Sequence, residues 1–145
     1  MTFHDTIYKP TLLYGSESWP LNSKIEQVTV AEMKYLRRVA GKTRRDLERN
    51  IKIREDLNVK PITTDLEVKQ LKWYGHMKRM GKERLPRRIW EARMEGRRGR
   101  GRPRTTWLHS ITNAGKKRNK DVKEMNRMVE NRKEWRSFAE KDPTP

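Results

Sequence analysis

The sequence predicts a mainly α-helical protein in which small helical bundles are joined by a basic, extended strap rich in glycine and arginine. Apolar residues recur at helical spacing in several segments of the chain. Only 32% of the 145 residues are hydrophobic, and the 8 glycines do not bring the chain to the roughly 45–50% that is typical of globular domains. We therefore expect a small core and a partly disordered chain.

The first predicted elements are a short apolar segment and a long helix. Residues Ile7 to Trp19 are interrupted by proline and glycine, and they indicate either a strand or a short helix. A helix capped by Asn22 or Ser23 follows and ends at Gly41. Its apolar side chains are Ile25, Val28, Met33, Leu36 and Val39.

Two further helices are predicted before residue 81. Asn50 to Leu57 forms a short amphipathic helix, and Asp65 to Met80 forms a longer one that Gly81 ends. Thr63 or Thr64 is expected to cap the longer helix, with Glu67 at the spacing of a capping box from Thr64.

The second half of the chain alternates between helical and irregular segments. Leu85 to Met94 is short and amphipathic and indicates a helix or a strand, whereas the glycines and proline of Glu95 to Pro103 exclude regular structure. Thr105 is expected to cap a helix that carries Trp107. A last helical stretch is predicted over roughly Asp121 to Glu140.

The net charge of +17 indicates a polyanionic partner. Residues 72–104 alone carry 13 basic and 3 acidic side chains, a balance of +10. The pI near 10.5 favours nucleic acid, DNA or RNA, over a membrane surface as that partner. No apolar run approaches the roughly 20 residues that a membrane helix needs. We expect a nuclear protein that is not secreted. The absence of cysteine excludes disulfides, cysteine-ligated zinc and cysteine nucleophiles.

The sharpest local signal is an arginine-rich strap that resembles an AT-hook. An extended Arg-Gly-Arg-Pro core can lie in a narrow A·T-rich minor groove, where the negative potential attracts guanidinium groups. The alternative is a flexible linker that binds any polyanion through its phosphates. The residues concerned are Arg97, Arg98, Arg100, Gly101, Arg102, Pro103 and Arg104.

Cations and aromatic residues beside the strap are further candidates for nucleic-acid binding. The cations expected to contact phosphates are Lys72, Lys78, Arg79, Arg87 and Arg88. Trp73 and Tyr74 offer stacking surfaces for unpaired bases. They are alternatively core residues, and Gly75 beside them indicates close helix packing.

No catalytic, metal-binding or cofactor-binding site is predicted in this chain. The six aspartates are isolated from one another, so no adjacent pair is placed to hold two magnesium ions. The three histidines lack the spacing of a metal site. A phosphate loop, a nucleophile elbow and the His-Glu-x-x-His motif are all missing.

Six short motifs in fixed order resemble the region after the palm in reverse transcriptases of non-LTR (LINE-type) retrotransposons. The resemblance covers about residues 11–140, although Asn131-Arg132 stands where family members often have Asp-Arg. The motifs are Leu12 to Trp19 with Met33 to Gly41, Trp73 to His76 with Arg79-Met80, Arg84 to Pro86, Glu95 to Arg98, Gly101 to Arg104 with Trp107, and Asn131-Arg132 with Trp135-Arg136.

The resemblance implies a fragment of an endonuclease–reverse transcriptase polyprotein, consisting of the thumb and tail that follow the fingers and palm. The catalytic aspartates and the magnesium of such an enzyme would lie upstream, so the chain alone is expected to be inactive and to bind template–primer or target DNA. The expected divisions are a palm–thumb junction (1–20), a thumb-like lobe (21–81), a basic linker (82–104), a C-terminal helical lobe (105–140) and a disordered tail (141–145).

Two other functions remain open at this point. The chain could be a stand-alone accessory DNA-binding protein that uses the AT-hook-like strap, or a decayed retrotransposon fragment without function. In the fragment interpretation, the apolar face between Ile25 and Val39 packs on the missing palm. The isolated chain is then expected to expose that face and to be marginally stable.

Overall fold

The computed structural model describes residues 3–20, 23–92, 101 and 105–143, and all regular structure within these ranges is helical, as predicted. None of the described helices is long and apolar enough to cross a membrane. The helices are α1 (Lys9–Leu12), α2 (Ser23–Val39), α3 (Asn50–Asp56), α4 (Ile62–Arg79), α5 (Leu85–Glu91), α6 (Trp107–Lys116), α7 (Val122–Met128) and α8 (Arg132–Glu140).

The apolar segment near the start of the chain is helical. A π-helical turn at His4–Tyr8 leads into α1, and a 3₁₀ turn follows at Ser16–Ser18. Leu13 is buried between these turns and packs with Ile25 of α2 and with α4. This small cluster holds the first segment against the rest of the chain.

Part of the apolar face of α2 is covered by helices of the same chain, whereas Val39 at its C-terminal end is 55% exposed. Ile25, Met33 and Leu36 are all buried, and Met33 and Leu36 pack with Ile53 of α3. Arg54 of α3 also reaches back across this interface and donates to a fully buried carboxylate of α2.

Helix α4 begins earlier than predicted, and its predicted cap is wrong. The helix starts at Ile62, directly after Pro61, so Thr63 and Thr64 lie inside its first turn. Glu67 does not return to the N-terminus, because it is buried and its carboxylate accepts from Arg118 at 3.1 Å. A long-range ion pair has displaced the local capping box.

The last predicted stretch is divided into two helices. Asn131 caps α8, its side chain accepting from the backbone N–H groups of Lys133 at 3.1 Å and Glu134 at 3.3 Å. Helix α6 is capped by Thr106, one residue beyond the predicted Thr105. The break after α7 lets α7 and α8 each pack a separate side against the core.

Helix α4 lies at the centre of the fold and contacts both halves of the chain. Its N-terminal half packs on α2, and its C-terminal half packs on α6 and α8. The largest cluster joins Leu71 and Tyr74 of α4 to Trp135 and Phe138 of α8. A hydrogen bond from the Trp107 indole to the Glu17 carbonyl, 2.7 Å long, also ties α6 to the first turns.

Candidate nucleic-acid interface

One exposed stripe of α4 is basic. Lys72, His76 and Arg79 are spaced four and three residues apart, so they lie along one side of the helix. The opposite side of the same turns carries the buried Leu71 and Tyr74. The amphipathic pattern that buries α4 in the core therefore also directs this basic stripe to the surface.

A second basic stripe on α8 faces the first. Arg132 and Arg136 are one helical turn apart and both are exposed, whereas Trp135 between them is 2% exposed. The indole Nε1 of Trp135 donates to the Leu71 carbonyl of α4 at 2.9 Å. This contact fixes α8 beside α4, and it is possible because Gly75 has no side chain where the indole lies.

The two stripes enclose a cleft of about 430 Å³. Its wall is the apolar face of the Trp135 indole, and its other lining residues are Lys72, His76, Arg79, Arg132 and Arg136. Four permanent cations and a histidine thus converge on one concave surface. Such a surface attracts phosphate or carboxylate groups, and its arginines can bind them in a bidentate manner.

A carboxylate of the chain pairs with two of the cations that line the cleft. Glu140 at the end of α8 accepts from Lys72 at 2.7 Å and from Arg136 at 3.2 Å. These hydrogen bonds, first from Lys72 and then from Arg136, lower the pKa of Glu140, which is therefore ionised at neutral pH.

Arg79 is held at the inner end of the cleft. Its Nη1 donates to the backbone carbonyl of Val129 at 2.7 Å, which orients the guanidinium. Burial, followed by repulsion from nearby Arg132, lowers the pKa of Arg79. Two guanidinium groups kept this close repel each other, and an anion placed between them would relieve that repulsion.

The two aromatic residues predicted as stacking surfaces have different environments. Tyr74 is 2% exposed, contacts the rings of Trp90, Trp107 and Trp135, and donates its hydroxyl hydrogen to Asn126 Oδ1 at 2.7 Å. Burial raises the pKa of Tyr74 to about 12. Trp73 is half-buried, with its ring 5.4 Å from that of His76, so it borders the basic stripe.

The other predicted phosphate-binding cations lie outside the cleft. Lys78 sits over the Trp90 ring at 4.7 Å, within the range of a cation–π interaction. Arg87 donates to the carbonyls of Lys78 at 2.9 Å and Met80 at 2.5 Å, so it satisfies the C-terminal end of α4. Arg88 is exposed on α5.

Most of the arginine-rich strap falls outside the described residues. Arg97, Arg98, Arg100, Arg102, Pro103 and Arg104 lie there, and of the strap only Gly101 is described. Gly101 is exposed and has a φ of +131°, a backbone conformation that favours glycine.

Sequence reasoning missed four residues of the cleft as site residues, namely His76, Arg132, Trp135 and Arg136. The two arginines are spaced four apart in a stretch whose overall charge is mixed, so a charge count over the segment does not single them out. Within the described ranges, no three acidic, histidine or cysteine side chains are grouped to hold a metal ion.

Comparison with known proteins identified one relevant relative. The chain is similar to an uncharacterized transposon-derived protein of Caenorhabditis elegans, with 28% identity over 149 aligned positions that cover 97% of this chain. The chain spans about half of that protein, 53% of its length. No protein-family model matches the chain, and no solved structure matches it.

Proposed function

We propose that this chain is the nucleic-acid-binding thumb and tail region of a LINE-type retrotransposon reverse transcriptase. The similarity to a transposon-derived protein supports a transposon origin. The six ordered sequence motifs support the narrower assignment to the LINE type. An in-frame Asp-Asp polymerase motif upstream in the genome would strengthen this parentage, and an unrelated upstream sequence would contradict it.

The observation that carries the binding function is the cleft between α4 and α8. Four cations from two helices converge there, and Glu140 pairs with two of them, Lys72 and Arg136. A solvated helix surface would instead intersperse the two signs of charge. The strap that follows α5 adds five arginines within eight residues, from Arg97 to Arg104.

The proposed mechanism is electrostatic. Phosphates of template–primer or target DNA bind between the α4 and α8 stripes, and the strap adds contacts along the same backbone. Each neutralised phosphate releases condensed counterions, so the logarithm of affinity falls with the logarithm of salt concentration by about 0.9 per contact on a DNA duplex. The aromatic edge of Trp73 can add stacking where the nucleic acid is single-stranded.

The test is a salt titration of binding to a labelled duplex. The double variant Arg132→Gln/Arg136→Gln should lower the salt slope by about 2 and weaken binding about tenfold or more at moderate salt. The control Lys123→Gln/Lys133→Gln removes the same charge from exposed positions outside the cleft. Equal slopes for the two variants would overturn the cleft as a phosphate-binding site.

The strap sequence favours a second candidate function, that of a stand-alone A·T-selective DNA-binding protein. A hook mechanism predicts at least tenfold tighter binding to A·T-rich than to G·C-rich duplexes, with that preference lost in Arg102→Ala. The retrotransposon tail predicts similar affinities for RNA and for either duplex. A competition assay with all three ligands therefore separates the two functions.

A further inference from the structure

A second basic groove lies where α2 ends and the segment before α3 folds back. Its volume is about 1020 Å³, and it shares no lining residue with the α4–α8 cleft. Its basic lining residues are Lys34, Arg37, Arg38, Lys42 and Arg44. The predicted nucleic-acid-binding set contains none of these five cations.

The groove is preorganised by one of its own arginines. Arg37 donates from Nη2 to the Glu48 carbonyl at 3.0 Å and to Asn50 Oδ1 at 2.7 Å, which ties the segment to α2. A tight turn within the segment is closed by Asp46, which accepts from the backbone N–H and hydroxyl of Thr43 at 2.5 and 2.9 Å. The groove walls are therefore fixed by hydrogen bonds before any ligand binds.

The acidic groups at or near the groove already have partners, although Glu48 is itself a lining residue of the groove. The hydrogen bonds from Thr43 lower the pKa of Asp46, so its charge is used in the turn. Glu48 pairs with Lys52 at 3.2 Å and, more loosely, with Lys42 at 3.7 Å. Within the described part of the chain, exposed Lys34, Arg38 and Arg44 have no carboxylate partner.

The arrangement of these three cations fits a nucleic-acid backbone. Lys34 and Arg38 are one helical turn apart, about 6 Å along α2, and Arg44 extends the charge beyond the helix end. A single phosphate would leave most of the groove empty, whereas a backbone carrying one charge per 3.4 Å of each strand can engage several cations at once. Exposed Val30 and Leu47 at the rim offer apolar contact to sugars.

We infer that this groove is a second binding surface for the nucleic-acid backbone, so that one chain contacts two nucleic-acid segments at once. The inference rests on the proposed function, because it assumes that the α4–α8 cleft and the strap bind a first segment. It assigns a bridging role to the protein. A surface for an acidic peptide is the competing possibility, and the experiment below includes it.

The experiment compares three triple variants of the full chain. The groove variant is Lys34→Gln/Arg38→Gln/Arg44→Gln, and the cleft variant is Lys72→Gln/Arg132→Gln/Arg136→Gln. The matched control, Lys82→Gln/Lys123→Gln/Lys133→Gln, removes the same charge from exposed positions that line neither surface. Circular dichroism verifies that all variants keep the wild-type helix content.

Two readouts are measured, the salt slope of binding to one duplex and energy transfer between two duplexes carrying donor and acceptor dyes. Wild type and control should bring the two duplexes together at stoichiometric protein. The groove variant should still bind one duplex but lose energy transfer by fivefold or more. At saturating duplex, the salt slope of the groove variant should also be lower by about 0.9 for each phosphate contact that it has lost.

Three outcomes would overturn the inference that the groove binds a second nucleic-acid segment. Full energy transfer by the groove variant overturns the inference while leaving the cleft proposal intact. If polyglutamate displaces duplex from the cleft variant at concentrations at which polycytidylate does not compete, the groove is an acidic-peptide site. That result also overturns the inference. Failure of the wild-type chain to bind any duplex overturns both this inference and the proposed function.

Discussion

The contact between α4 and α8 depends on the missing side chain of Gly75, so Gly75→Ala should destabilise the protein. A Cβ at this position would lie 2.1 Å from Trp135 Nε1 and 2.4 Å from Cδ1, distances that no packed structure tolerates. The indole cannot turn away freely. It is buried, its Nε1 donates to the Leu71 carbonyl, and its ring packs 5.2 Å from that of Phe138.

The size of the effect follows from three opposing contributions. Alanine favours the helix over glycine by about 1 kcal/mol. Against this, overpacking a core costs about 1–3 kcal/mol. Breaking the indole hydrogen bond leaves a buried N–H without its acceptor and costs another 1–3 kcal/mol or so. The free energy of unfolding should therefore fall by about 1–5 kcal/mol.

Urea unfolding followed by circular dichroism measures this change. For a loss of about 3 kcal/mol and a slope near 2 kcal/mol per molar urea, the midpoint falls by about 1.5 M. Trp135→Leu removes the clashing ring, so Gly75→Ala should cost much less in that background than in wild type. An alanine variant as stable as wild type, or about 1 kcal/mol more stable, would refute the packing argument.

Three further predictions concern charge. Glu140→Gln frees the two cations that Glu140 bridges, so binding of a duplex should strengthen on the order of two- to fivefold in anisotropy titrations. Glu67→Gln leaves Arg118 charged and buried without a carboxylate, and urea unfolding should show a loss of about 3–5 kcal/mol. Burial raises the pKa of Tyr74 to about 12, so the folded state favours the neutral phenol. The resulting contribution to the free energy of unfolding is present below pH 10 and is lost as pH rises toward 12. Tyr74→Phe should flatten that decline in pH-dependent unfolding.

The sequence predicted the helical class because periodicity is a local property. The apolar spacing of α2, α3 and α4 survives in the structure, with Met33, Leu36, Ile53, Leu66 and Leu71 all buried. The prediction of close packing at Gly75 also holds, although the neighbour is Trp135 and lies sixty residues away along the chain. The local pattern indicated close packing at Gly75, and the tertiary fold determined that the packing partner is Trp135.

The errors at the helix ends also arise because local sequence patterns do not show tertiary contacts. Glu67 has the spacing of a capping-box residue, but in the structure it is buried and its carboxylate pairs with Arg118 instead. At α8 the local signal was present, since Asn131 followed by Glu134 has the pattern of a cap. The prediction of one helical stretch from Asp121 to Glu140 overlooked this cap.

The candidate cleft could be predicted only in part. The α4 stripe was predicted from Lys72 and Arg79, which lie in the most basic segment of the chain. Arg132 and Arg136 were not, because their segment has mixed charge and only the packing of Trp135 brings them to α4. Contacts between residues so far apart in sequence carry no local signature.

The hydrogen bonds of individual cations, more than the total of +17, locate the binding surfaces. Arg87 closes the end of α4, and Arg118 and Arg54 satisfy buried carboxylates. These guanidinium groups supply part of the cohesion that a chain with only 32% hydrophobic residues cannot obtain from apolar burial. Cations of this kind are unavailable to a phosphate without loss of structure. Other cations remain accessible, and those of the α4–α8 cleft and of the groove at the end of α2 line concave surfaces, where we expect nucleic acid to bind.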